Sequence, residues 1–196
     1  MYHMVKSGVR RQHVEIEVHT PADAATVYAL LRDGASWPLW SPIESFELER
    51  AGAGDPDGSG AIWIFRKGRV TGRDEVAELV ADRRFSYRHL TGLPVRDYRG
   101  DVDLEPTQGG TRIRWHISFL PRSPGTGWLW RWGIRRLVSQ SARGLAAHAA
   151  ATSGQESATR GFIGGGTGRS VGGRLRTRCS GRSARGRLRE RSGRAR

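Results

Sequence analysis

The chain has almost no cysteine. Cys179 stands alone, so no internal disulfide and no cysteine-based metal cluster can form. A run of about 18 apolar residues, the minimum for a membrane-spanning helix, is also missing. The opening MYHMVKSGVRRQHVEIEV has no apolar core of the kind a signal peptide needs, so the expected location is the cytoplasm. No G-x-S-x-G nucleophile elbow occurs. The glycine-rich GFIGGGTGR from Gly161 lacks both the G-K-[ST] ending and the G-x-G-x-x-G spacing of a phosphate loop. His3, His13 and His19 have no mutual metal-ligand spacing, and neither a metal nor a cofactor is expected.

What is present suits one soluble domain with a tail. The 196 residues are 37% hydrophobic and 27% charged. The formal charge of +14 is unevenly placed: from 151 to 196, 12 arginines and two glutamates account for +10. Few apolar side chains occur there, and disorder is expected. Such a tail would attract nucleic acid or acidic lipid through phosphates, with steep salt dependence. Its abrupt Arg/Gly/Ser composition is also what GC-rich DNA yields when read in a shifted frame, so 151–196 is open to being an annotation artefact. Residues 1–12 read as a flexible arm, and 13–150 as the folded domain.

Within 13–150, HVEIEVH from His13 alternates as a half-buried strand does. Thr20, Pro21 and Asp23 read as the cap, first position and capping-box acid of a helix whose stripe is Val27, Leu30 and Leu31. GASWPLWSPIESF then predicts a short helical turn burying Trp37 and Trp40, followed by a strand over 43–50. After the loop AGAGDPDGSG come AIWIFRK, DEVAELV, RFSYRHL, RDYRGDVDLE and TRIRWHISF, each a strand bounded by glycine or proline. The last two form a hairpin. Setting Asp103 opposite Arg112, and Asp101 opposite Arg114, gives one charged face. The other face is Tyr98, Gly100, Val102, Leu104, Ile113, Trp115, Ile117 and Phe119, with Gly100 facing Trp115. From Trp128 a long amphipathic helix is predicted, with a stripe of Trp128, Trp132, Leu137, Val138, Leu145 and Ala149 and weak points at Gly133 and Gly144. The fold class is α+β: an antiparallel sheet covered by this helix.

The motifs PADAATVYALLRDGASWPLWSPI, GGTRIRWHISF and the closing GLAAHA, in this order of elements, resemble the SRPBCC (START-related, helix-grip) superfamily, of the polyketide cyclase/dehydrase and lipid-transport type. The resemblance implies a curved sheet gripping the C-terminal helix around a deep cavity. It implies binding of a hydrophobic small molecule such as a lipid, polyketide or aromatic metabolite, or a cyclase or dehydratase using the same cavity without a cofactor. It is specific for fold and weakly specific for function.

Tyr98, Trp115, Ile117 and Phe119 are then expected to face the cavity, joined by Tyr87 and His89 from one strand and by Trp128 and Trp132 from the helix. His89 and Tyr87 are the polar candidates for proton transfer, with Tyr98 behind them. His116 falls on the charged face, and His148 is placed near the end of the last helix, where its charge suits the dipole. Asp97, Asp101 and Asp103 are expected outward. Asp74, Glu75 and Glu78 share a strand, and one of them is a candidate to point inward.

Overall fold

The computed structural model describes residues 9–163, with side chains to residue 155. Strand β1, Gln12–Thr20, buries Val14 and half-buries Ile16 and Val18. Helix α1, Ala24–Arg32, begins at Asp23, whose Oδ1 accepts from Thr26 N–H at 2.7 Å. Asp23, not Thr20, is therefore the cap. Thr20 is buried and donates its hydroxyl to the Ala146 carbonyl at 2.8 Å, joining the end of β1 to the last helix. A carboxylate accepts more strongly than a hydroxyl at this position, which leaves Thr20 for the longer-range contact.

A short 3-10 turn, Gly34–Ser36, leads into α2, Trp37–Trp40, which buries both indoles. Six strands follow: β2 Ser45–Arg50, β3 Ile62–Lys67, β4 Val70–Val80, β5 Arg84–Thr91, β6 Val95–Thr107 and β7 Gly110–Pro121. They pair in the order β1-β7-β6-β5-β4-β3-β2, antiparallel throughout. Register shifts in β2, β4 and β6 mark bulges, the device that bends a sheet. At the β6 bulge Asp97 is in the left-handed region, with φ 49°. The result is a curved sheet around the C-terminal helix, α3, Gly127–Ile163. That helix packs on β1, β7, α1 and α2.

The β6–β7 hairpin has the expected faces but a tighter turn. Thr107 pairs with Gly110, so only Gln108 and Gly109 lie outside the ladder. Asp103 therefore faces Arg114, Asp101 faces His116, and Glu105 faces Arg112. The register differs by two residues from that drawn from charge pairing. A shift of two keeps every side chain on its face, which is why sidedness survives and the partners change. Gly100 lies between Ile117 and Tyr87, not opposite Trp115. His116 stacks on His13 outside the sheet, at a ring distance of 5.5 Å.

Helix α3 continues past 150, where the sequence suggests the tail begins, so His148 is not at its end. Residues 164–196 and most of the expected N-terminal arm lie outside the described residues. The buried stripe of α3 is Ile134, Val138, Ser141, Ala142, Leu145, Ala146 and Ala149. Counted back by one turn, this stripe passes through Trp130, which packs against the core. Trp128 and Trp132 fall on the outer face. No helix among the described residues is long and apolar enough to cross a membrane.

Candidate functional site

Between the concave face of the sheet and α3 lies a cavity of about 340 Å³. Its walls are mostly apolar: Trp37, Ile43, Phe65, Leu93, Leu137 and Val138. Trp37 is placed here by the Pro38 turn, and its ring lies within 6.2 Å of those of Phe65, Phe85, Tyr87 and Trp115. Offset and edge-on contacts of this kind hold large flat side chains in fixed orientations. Arg66, Lys67 and Val70, at the exposed end of the β3–β4 hairpin, form the rim.

The polar groups come from three neighbouring strands. Asp74 on β4 and His89 on β5 are directly paired in the ladder. Both side chains are largely withdrawn from solvent. Leu93 N–H donates to His89 Nε2 at 3.1 Å, so that nitrogen holds its lone pair and Nδ1 carries the proton. Nδ1–H then donates to Asp74 Oδ1 at 2.6 Å. The imidazole is thus a neutral ring with both nitrogens engaged. Gly72 leaves room for it, since a Cβ there would stand 3.2 Å from His89 Cε1.

Beside this pair, Trp115 Nε1–H donates to the Tyr87 hydroxyl at 3.3 Å. Burial pushes the Tyr87 phenol well above its ordinary value, and the charge of Asp74 pushes the same way. Tyr98, edge-on to His89 at 5.5 Å between rings, is also raised by burial and then by Tyr87. Both phenols stay protonated at neutral pH. They can donate or accept hydrogen bonds to a ligand but do not supply a base there.

Of the residues expected at the cavity, Tyr87, His89, Tyr98 and Trp115 do line it. Ile117 and Phe119 are buried on the same face but in the packed core and do not line it. Trp128 and Trp132, expected on the cavity side of the helix, stand outside it at 72% and 63% exposure. The expected stripe holds at Val138, Leu145 and Ala149, but its N-terminal end runs through Ile134 and Trp130 and not through Trp128 and Trp132. Alternation alone does not single out Asp74 from Glu75 and Glu78. Counted back from the turn, where Val80 pairs with Arg84, the hairpin would set Glu75 opposite His89; the bulge between Val76 and Glu78 brings Asp74 there, and no sequence signal announces it. Among the described residues no three His, Cys, Asp or Glu side chains come together to hold a metal ion.

Residues 11–150 match the model of the family described as polyketide cyclase / dehydrase and lipid transport. No match is found among curated proteins. Among solved structures, a START superfamily protein from Mycobacterium smegmatis is 13% identical with a TM-score of 0.61, over 70% of this chain and 96% of that one. A protein from Thermus thermophilus is 23% identical with a TM-score of 0.55, over 72% and 99%. A norcoclaurine synthase from Thalictrum, a point mutant in complex with a transition-state analogue, is 12% identical with a TM-score of 0.61, over 74% and 98%. At these identities the likeness concerns the fold.

Proposed function

The chain belongs to the polyketide cyclase/dehydrase and lipid transport family, and from that premise we propose that it binds a hydrophobic small molecule, a lipid, polyketide or aromatic metabolite, in the cavity beneath α3. The observation that carries this reading is the cavity itself. A volume of about 340 Å³ lies within the usual range for small-molecule sites. Apolar walls supply affinity, and a few polar groups at one end fix orientation. Tyr87, Tyr98 and the Asp74–His89 pair are those groups. Lys67 at the rim favours a ligand whose outer end is anionic or strongly hydrogen-bonding, while Arg66 beside it is engaged by Glu47.

A second reading, a cyclase or dehydratase, has one observation in its favour: a buried carboxylate–imidazole pair on the cavity wall. To take a proton from a bound molecule, His89 Nε2 must first be released from Leu93 N–H. With both phenols held protonated, the carrier reading accounts for more of the site.

The test is native mass spectrometry of the full chain as purified from cells, paired with binding of an anilinonaphthalene sulfonate probe. A co-purified hydrophobic molecule is expected, together with probe binding that is lost in Leu137→Trp, which fills the cavity while circular dichroism confirms the fold. A chain that emerges empty and a Leu137→Trp variant that binds the probe as before would overturn the proposal. His89→Ala and Tyr87→Phe decide between the readings: a carrier returns its ligand chemically unchanged from wild type and variants alike. A ligand converted by wild type and left intact by His89→Ala would establish the enzyme.

A further inference from the structure

The outer face of the sheet and the outer face of α3 differ in how their charges are treated. On the sheet, arginine is matched by acid. Arg84 meets Asp103, Arg99 meets Asp101 and Glu78, and Arg114 meets Glu15 and Glu17. Helix α3 has no Asp or Glu from Gly127 to Gln155. Arg131, Arg135, Arg136 and Arg143 are exposed along it, and none has a carboxylate partner among the described residues. Two indoles rise among these cations. Trp128 and Trp132 are four residues apart, so they lie one above the other on a single face. Leu129 is exposed beside them. With Gln12 of β1, the indoles, Arg131 and Arg135 line a shallow recess, and Arg131 shares a second one with Arg10.

Large indoles left this exposed on a folded domain mark a contact surface. We propose that the outward face of the N-terminal half of α3 docks on an anionic lipid bilayer. Indoles settle at the boundary between headgroups and acyl chains. Arginines around them reach lipid phosphates while their stems lie along the apolar boundary. The indoles and Leu129 leave apolar area exposed among these cations, the combination that an anionic bilayer surface takes up. Leu129 beside the indoles has no ring on which a base could stack and gains from burial at an acyl boundary, which favours a bilayer over a single strand. The cavity opens elsewhere, so this surface stands whether or not the cavity carries a ligand.

The test uses the full chain and vesicles of phosphatidylcholine with roughly one-third phosphatidylglycerol. The arginines of 151–196 attract such vesicles in every variant, so sedimentation alone does not report on the helix. Brominated lipid does, because it quenches only indoles that enter the interface. Quenching is expected for wild type and is lost in Trp128→Ala/Trp132→Ala. Arg131→Gln/Arg135→Gln weakens binding by about 30-fold at low salt, roughly fivefold for each cation. Unaltered quenching in the double-alanine variant would overturn the proposal, as would its absence in wild type. So would quenching of these two indoles by a single-stranded oligonucleotide but not by vesicles, which would assign the face to nucleic acid. Failure of acrylamide to reach them without vesicles would show that another part of the chain already covers them, and would overturn it too.

Discussion

Gly100 shows how far a single side chain reaches in this fold. A Cβ there would stand 2.4 Å from two ring carbons of Tyr87, and 2.7 Å from its hydroxyl. The Tyr87 ring is packed by Trp37, Phe85 and Trp115 and borders the cavity, so a displaced ring moves into the space of the ligand. Gly100→Ala is therefore expected to displace Tyr87 and break its bond to Trp115. The predicted result is weaker ligand binding and a stability loss of about 1–3 kcal/mol, read from probe titration and urea melts. Asp57 offers a pH test. Its carboxyl is raised above the ordinary 3.8, first by burial and then by Asp33 and Asp55. A raised carboxyl holds its proton more tightly in the folded state, so ionisation weakens the fold as pH climbs through and beyond that value. Asp57→Asn is expected to melt above wild type at pH 7. The difference should close as pH falls below the ordinary carboxylate range, and thermal melts across pH will show whether it does. Neither residue's role was legible in the sequence. Gly100 reads as an opening opposite Trp115 when only one hairpin is considered, whereas its true neighbour comes from β5 on the other side.

At the scale of elements, periodicity reveals much and anchoring less. Each predicted strand exists, and alternation placed Tyr98, Val102, Ile113 and Trp115 on the inner face. Pairing partners depend on turn length, which alternation does not encode, hence the two-residue difference in the β6–β7 register. The same limit applies to α3. Helical spacing relates Trp128 to Trp132 but does not say which stripe meets the sheet. Ile134, Val138, Leu145 and Ala149 decide it. The two glycines of α3, equal as weak points in the sequence, are unequal in the structure. At Gly144 an added Cβ would lie 1.7 Å from the Trp40 carbonyl oxygen, whereas at Gly133 nothing lies within 4 Å. Gly133→Ala is expected to stabilise by up to about 1 kcal/mol through helix propensity. Gly144→Ala should destabilise by about 2 kcal/mol or more, since backbone rather than a yielding side chain is in the way. Chemical denaturation of the two variants would separate them.

For the whole molecule, the order of elements was the most legible property, because one cover helix and seven strands leave few arrangements. The cavity was legible only as a consequence of that fold. Its volume and its Asp74–His89 pair arise from sheet curvature, which the bulges produce and no single motif announces. A ligand that binds only the folded chain stabilises it by mass action, by about 2.7 kcal/mol at a concentration a hundredfold above Kd. Stripping the bound molecule is thus expected to lower Tm by about 5–10 °C, with recovery on reconstitution, as calorimetry would record.

The contact of Gly144 with Trp40, together with the Thr20–Ala146 bond, also sets a timescale. These two attachments fix the half of α3 that follows Ser141, so sliding the helix would drive its backbone into the Trp40 carbonyl. Leu137, Val138 and Ser141 then form a stationary wall. For the proposed ligand, exchange is expected on the opposite side, where the β3–β4 and β5–β6 turns bring Val70 and Leu93 to the cavity. The residence time of such a ligand is then expected to depend on how often those turns part. Stiffening them would slow capture and release together while leaving the affinity unchanged.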